Sequence, residues 1–277
     1  MKKYLLLFGL CCCVWGIAQK PSVELRADAF YGVDDFDALY YGKDNVFYKK
    51  QADQRLQFYD VQLGDLTEVD LINPLKILLF YKDTQTVVLV DNRLNETQRI
   101  ILNELEPYRF FEHARLAGER RLWLHDLDQN RIQLYDYIQE RVVVNTPVLK
   151  NDVQNLLTDY NFCHVWSDGY LQTFNTYGSE TASLELDQPK HLGYDFGTLV
   201  GKNNDGFHLW KLNEDYRFDS MALGPALNSL GNSDLNSANQ ADQDLQNPIK
   251  SLYLKGGKLY LWRGKRVLVY DLNLNKK

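Results

Sequence analysis

One phrase recurs along this chain: a strand-like run of apolar and aromatic residues that ends in Asp or Asn. It reads RLQFYD (Arg55 to Asp60), TVVLVD (Thr86 to Asp91), RIQLYD (Arg131 to Asp136), YLQTFN (Tyr170 to Asn175), FHLWKLN (Phe207 to Asn213) and RVLVYD (Arg266 to Asp271). A unit repeated every few tens of residues cannot bury its apolar face alone and must stack against its neighbours. Six such copies predict one all-β assembly, circular or stacked.

Proline placement gives the same count. Six of the seven prolines stand at Pro21, Pro74, Pro107, Pro147, Pro189 and Pro248, and each interval contains the phrase once. Proline has no backbone donor and is excluded from central strands, so its return marks the connections between successive sheets. Between these marks lie period-two apolar runs such as KILLFY (Lys76 to Tyr81), ERRLWLH (Glu119 to His125) and GKLYLWR (Gly257 to Arg263). Turn residues follow them, with Asp-Gly at Asp168-Gly169 and Asp205-Gly206 as hairpin cues. Helix is a minor component; Asn151 to Tyr160 predicts at most a turn or two. The interval from Pro74 to Pro107 is short and predicts three strands.

The two ends carry separate information. Lys2-Lys3, an apolar run from Tyr4 to Ile17 and small residues before Gln19 predict a secretory signal peptide over residues 1–18. The run is shorter than the roughly 20 residues a bilayer span needs. The Ala18-Gln19 junction resembles that of exported Bacteroidota proteins, whereas Phe8-Gly9-Leu10 before Cys11 fits a lipidation signal poorly. Cys11, Cys12 and Cys13 keep lipidation as the competing fate. Cleavage leaves Cys163 as the single cysteine, between Phe162 and His164, where a small buried hydrophobe is expected rather than a nucleophile. It also moves the formal charge from −6 to −8 by removing two lysines. An acidic chain with no dense Lys/Arg stripe is a poor match for nucleic-acid phosphates or anionic membranes.

Repeats of about 40 residues with three or four antiparallel strands each give residues 19–277 their resemblance to small exported six-bladed β-propellers. A two-sheet sandwich is the alternative, but it needs no repeated phrase. The resemblance implies a closed ring. Since only Leu272 to Lys277 follow the last phrase, Val23 to Arg26 is expected to add the outer strand to the last blade, removing an exposed edge. One segment breaks the pattern: Ala226 to Asn247 is rich in Asn, Gln, Ser and Asp and has no Lys or Arg. It is expected to be a flexible insertion, either a surface loop or a partner-binding flap.

Catalytic patterns are absent. There is no Gly-x-Ser-x-Gly elbow, no phosphate-binding Walker loop and no dinucleotide GxGxxG. His113, His125, His164, His191 and His208 have no metal-ligand spacing, although His125, His164 and His208 each neighbour a tryptophan. Acids gather at turns: Asp34, Asp35 and Asp37 in VDDFD, and Asp83, Asp126, Asp128, Asp168 and Asp205 elsewhere. Aspartate is the default turn residue because its carboxylate accepts nearby backbone N–H bonds. The same account covers Asp60, Asp91, Asp136 and Asp271 of the repeat, as caps on the turn to the outer strand. Trp123, Trp166, Trp210 and Trp262 are expected in second strands as inter-blade packing.

No catalytic, cofactor-binding or metal-binding residue is assigned and no cofactor is implied. The expected function is a non-enzymatic protein-interaction or scaffold module, periplasmic or at the cell surface, with an envelope or cell-surface protein as partner. Two alternatives place a site at the central channel. One is carbohydrate binding. The other is a metal-dependent lactonase-like hydrolase, which requires three or four inward Glu, Asp, Asn or His groups. The oligomeric state is left open.

Overall fold

In the computed structural model, which describes residues 22–224, 227, 247–272 and 274, the repeats form six four-stranded antiparallel sheets. The first strand, β1 (Ser22–Glu24), is taken up by the last sheet. Blade 1 is β2 (Ala29–Val33), β3 (Leu39–Lys43), β4 (Val46–Gln51) and β5 (Gln54–Phe58). Blade 2 is β6 (Glu68–Asp70), β7 (Ile77–Tyr81), β8 (Thr86–Val90) and β9 (Glu96–Ile101). Blade 3 is β10 (Phe111–Leu116), β11 (Arg121–Asp126), β12 (Arg131–Asp136) and β13 (Arg141–Asn145). Blade 4 is β14 (Val153–Thr158), β15 (Phe162–Ser167), β16 (Tyr170–Asn175) and β17 (Glu180–Glu185). Blade 5 is β18 (His191–Asp195), β19 (Thr198–Lys202), β20 (Phe207–Leu212) and β21 (Phe218–Met221). Blade 6 is β22 (Ser251–Lys255), β23 (Lys258–Trp262) and β24 (Arg266–Asp271), with β1 as its outer strand. The protein is a six-bladed β-propeller.

Alternation along each strand is used twice, because the two faces of a blade meet different neighbours. In the fully buried β7, Ile77 and Leu79 pack with Tyr40 and Phe47 of blade 1, while Leu78 and Phe80 pack with Phe111 and Leu122 of blade 3. The apolar core is accordingly divided into six clusters, one at each junction between blades. Trp123 and Cys163 share the layer between blades 3 and 4, and Trp262 lies between blades 6 and 1 with Phe30 and Tyr41.

The first strand of each blade lines the axis, where the blades converge and space is shortest. Gly32 in β2 and Gly193 in β18 answer that crowding. A Cβ on Gly32, whose φ is +143°, would lie 2.5 Å from the Tyr253 ring, and one on Gly193 would lie 2.3 Å from Leu252. Both clashes are with β22, so the missing side chains allow blades 1 and 5 to approach blade 6.

Ring closure follows the expected route. β1 pairs antiparallel with β24 in the register Ser22↔Leu268, Val23↔Val267 and Glu24↔Arg266. The Leu25 amide continues the contact by donating to the Lys265 carbonyl at 2.8 Å, and Leu25 itself is buried.

Several finer expectations are corrected. Residues Asn151 to Tyr160 contain β14 rather than helix, because Leu156 must face the inter-blade core; a short 3-10 turn, Leu102–Glu104, follows β9. Blade 2 has four strands. Its short appearance came from Pro74, which lies in the turn between β6 and β7 and not between blades. The first copy of the phrase is out of step as well. RLQFYD falls on β5, the outer strand of blade 1, whereas the other five copies fall on third strands. Trp210 lies on β20, a third strand, unlike Trp123, Trp166 and Trp262 on second strands. Residues 1–18 lie outside the described residues, as does 226–247 apart from Leu227, which is buried in the cluster between blades 5 and 6, and Asn247.

Shortening the chain to begin at Asp28 removes β1 and Leu25. Burial of one Leu contributes about 2 kcal/mol and each net hydrogen bond about 1 kcal/mol. The truncated chain is therefore expected to melt about 10 °C lower and to self-associate through the uncovered edge of β24. Thermal denaturation with light scattering checks this, and an unchanged midpoint with a monodisperse sample would show that closure does not depend on β1.

Candidate functional site

The axis-lining strands carry a set of polar and charged residues. Glu68 and Asp70 lie on β6, His113 and Arg115 on β10, Asn155 on β14, Asp195 on β18 and Lys255 on β22. Buried polar groups must be hydrogen-bonded to persist, and here their partners come from the adjacent blade. The Glu68 carboxylate lies 2.6 Å from His113 Nδ1, and accepts from the Ala114 amide at 3.1 Å and Arg115 Nη1 at 2.9 Å. Arg115 continues into blade 4, donating to Asn155 Oδ1 at 2.9 Å and to the Leu156 carbonyl at 3.1 Å. Asp70 accepts from the Leu116 amide at 2.8 Å and from the Ile72 amide at 3.0 Å.

The remaining junctions are tied in the same way. Tyr194 of blade 5 donates to Asp159 of blade 4 at 2.5 Å. Asp195 accepts from the Gly256 amide of blade 6 at 2.7 Å. Lys255 of blade 6 pairs with Asp35 of blade 1 at 3.1 Å, and Lys49 of blade 1 donates to the Asn92 carbonyl of blade 2 at 3.2 Å. Every junction thus has at least one polar bond in addition to its apolar cluster.

Inside this belt is a cavity of about 310 Å³ whose lining includes Glu68, Asp70, Arg115, Asp195, Tyr253 and Lys255. It reaches the end of the axis where first strands turn into second strands, since Ile72, Thr158 and Phe196 line it there. This end is called the mouth face below. First turns at this end carry exposed apolar side chains, Phe36, Leu75, Tyr160 and Phe196, and Phe196 lines the cavity. The Tyr160 and Phe196 rings are 5.8 Å apart, and the Tyr160 hydroxyl reaches the Ile72 carbonyl at 3.4 Å, passing over blade 3. The opposite end also exposes apolar groups, among them Tyr59, Tyr108 and Val148.

Charge within the cavity is unevenly matched. Burial pushes the Glu68 carboxyl upward, but Arg115 and His113 overcome this and hold it below the ordinary range. Burial raises Asp70, against the opposing pull of Arg115, and raises Asp195, against the Gly256 bond and Lys255. Burial also raises the Tyr253 hydroxyl, and Asp70, Asp195, Asp35 and Asp34 add to the shift, so the space around it is electrically negative.

The residues singled out from sequence are mostly scaffold. Oδ1 of Asp91 accepts from the Arg93 and Asn95 amides, and Oδ1 of Asp136 from those of Ile138 and Gln139. Asn175 caps the Tyr177 and Ser179 amides, and Asn213 those of Asp215 and Arg217. Asp60 caps Gln62 in a connection between blades rather than in an outer turn. Asp34 is a hub in blade 1, accepting from the Phe36 and Ala38 amides and from the Tyr40 hydroxyl, with Lys49 at 3.3 Å. Asp83, Asp126, Asp128, Asp168 and Asp205 belong to turns between second and third strands, at the end opposite the mouth. Among the described residues no group of three or more His, Cys, Asp or Glu is placed to hold a metal ion.

The histidines do not converge. His125 stacks on His113 at 5.7 Å, His208 on Trp210 at 5.7 Å, and His164 lies against Tyr194 at 4.4 Å. Cys163 is fully buried, and burial raises its thiol pKa. Sequence reasoning missed Glu68, Asp70, Arg115, Asp195 and Lys255. The available signal was the charged pair at spacing two (Glu68/Asp70, His113/Arg115) inside a strand-period segment.

No family model and no curated protein sequence matches the chain. Among solved structures it is similar to a chain in the crystal structure of the mitotic checkpoint complex, at 8% identity and a TM-score of 0.54, covering 98% of this chain and 99% of that one. It is also similar to the β-propeller domain of Cps50 (Swd1) from Myceliophteria thermophila, at 8% identity and a TM-score of 0.55, covering 91% and 98%. Hsv2 from Kluyveromyces lactis matches at 12% identity and a TM-score of 0.50, over 74% of this chain and 58% of the Hsv2 chain. The likeness shows the fold.

His164 gives the structure a pH dependence. It is wholly buried, with Nδ1 2.9 Å from Thr173 Oγ1, and burial pushes its pKa down to about 4 against the opposing pull of Asp159. The unfolded chain takes up this proton near pH 6.5 and the folded chain only near 4, so His164's contribution is fully present above 6.5 and is lost as pH falls between the two. One such group changes stability by up to about 1.4 kcal/mol per pH unit. His164→Gln is expected to have a shallower slope than the parent when denaturation midpoints are measured from pH 7 to 4. Parallel slopes would remove His164 as a contributor.

Proposed function

We propose that the chain is a non-enzymatic protein-interaction module of the cell envelope, exported by residues 1–18 and docking through the mouth face. The observation that carries this reading is the set of exposed Phe36, Leu75, Tyr160 and Phe196 on first turns at the mouth face, with Phe196 also lining the cavity. Large apolar side chains gathered at one surface, with polar groups inside their perimeter, have the composition of a recognition surface. They stand on short turns held by the inter-blade belt, so little conformational entropy is lost when a partner covers them. Membership of one similar propeller in the mitotic checkpoint complex, a protein assembly, is in keeping with such a role. Among the described residues no helix is long and apolar enough to cross a membrane.

Affinity capture from cell envelopes tests the reading. The mature chain is expected to retain a stoichiometric protein, and Phe36→Ser with Phe196→Ser is expected to lower its recovery at least tenfold, the scale of a buried aromatic anchor. Tyr108→Ser with Val148→Ser, at the opposite end, is expected to leave recovery unchanged. Equal recovery by all three chains would overturn docking through the mouth face. Sequencing of the exported protein is expected to begin at Gln19, and an intact Met1 would overturn the export assignment.

A further inference from the structure

We propose that the mouth face receives a basic segment of a protein partner, with one lysine or arginine side chain entering between Tyr160 and Phe196 and ending against Asp70 and Asp195. The inference rests on the docking reading above and adds the chemistry of the partner. Its basis is the way cations and carboxylates are matched in the cavity. Arg115 is consumed by Glu68, Asn155 and the Leu156 carbonyl, and Lys255 is turned outward to Asp35. Asp70 and Asp195 accept only backbone N–H bonds; among the described residues neither has a cation within ion-pair distance. A carboxylate offers about four acceptor sites, so both retain capacity for an incoming donor.

A carboxylate with reduced access to water and no ion-pair partner is costly, and an entering cation relieves that cost. Tyr253 stands in the same space and adds a hydroxyl oxygen to the two carboxylates. The entrance favours the same ligand. Lys255 already holds its ammonium 5.7 Å from the Phe196 ring centre, which shows the rim geometry of a cation over an aromatic face. Exposed Asp37 stands on the adjoining turn of blade 1, beside Asp35, which pairs with Lys255. An acidic rim draws in a basic segment and repels an acidic one.

Fluorescence polarisation with a labelled peptide of three Arg-Gly-Ser repeats, and with its Glu-for-Arg counterpart, tests the inference. The full mature chain is expected to bind the arginine peptide at least tenfold more tightly than the glutamate peptide. Asp70→Asn with Asp195→Asn is expected to remove at least tenfold of that affinity, and Asp168→Asn with Asp205→Asn, at the opposite end, to leave it unchanged. Equal losses in the two double variants would overturn the proposal in favour of diffuse charge. Because Asp70→Asn touches an inter-blade bond, the parent chain supplies a second measurement with an arginine peptide bearing a photo-reactive group. Cross-links at residues 158–160 or 195–196 support the proposal, and cross-links confined to 168 and 205 overturn it. If envelope capture depends on Phe36 and Phe196 but not on Asp70 and Asp195, docking stands and the basic partner fails. If capture ignores Phe36 and Phe196, docking itself fails.

Discussion

Pairing of β1 with β24 is the constraint on which the rest of the ring depends. Each blade is a twisted four-stranded sheet with two apolar faces, and no blade can bury both alone. A row of blades therefore leaves one apolar face uncovered at each end unless the ends meet. In this chain the last sheet takes its outer strand from the other end of the sequence, so covering the edge of β24 also draws blade 1 against blade 6. The cluster containing Leu25, Phe30, Tyr41, Trp262 and Val267 forms across that joint. Two problems, an open edge and an unburied face, are solved by one short strand.

Closure fixes the number of blades, and that number fixes how crowded the axis is. Gly32 and Gly193 remove side chains where β2 and β18 approach β22, and Tyr253 and Leu252 respectively fill the space they leave. Blades 2, 3 and 4 meet the same crowding with polar side chains instead, through Glu68, Arg115 and Asn155. Backbone and side-chain groups on first strands have a neighbouring blade within reach, which allows buried charge to be satisfied across junctions. The result is an asymmetric axis, close-packed toward blade 6 and hydrogen-bonded from blade 2 to blade 4.

Much of the architecture was legible because it rests on short-range rules. Period-two runs specify strands, Asp and Asn end third strands because they accept the next turn's amides, and five of the six phrases mark equivalent positions for that reason. Blade 1 misled the alignment. Its third strand ends in a tight turn at Ala52-Asp53 that needs no carboxylate cap, so the eye falls on RLQFYD one strand later. Pro74 misled it similarly, since a proline at a turn within a blade looks like one between blades. The mouth was not legible. Asp70, Asp195 and Lys255 are separated by many residues, and the closed ring alone brings them to one cavity.

The separation of roles between the two carboxylate sets has a physical origin. At the ends of third strands the caps outweigh burial: the Asn95 side chain with the Asn95 and Arg93 amides holds Asp91 below the ordinary range, and the Gln139 and Ile138 amides with Arg120 hold the buried Asp136 there. A carboxylate at the axis loses its water to neighbouring blades, and the same two amide bonds do not offset that loss, which is why Asp70 is raised despite them. Repetition therefore places capping Asp or Asn residues at the ends of five third strands, while departures from repetition on β6 and β18 place carboxylates without an ion pair where the blades converge. Phe36, Tyr160 and Phe196 stand on first turns at the same end, and Phe196 lines the cavity that holds Asp70 and Asp195. A surface that is apolar at its edge and negative at its centre is most fully satisfied by one kind of occupant, a chain segment with apolar contacts and a single cation between them.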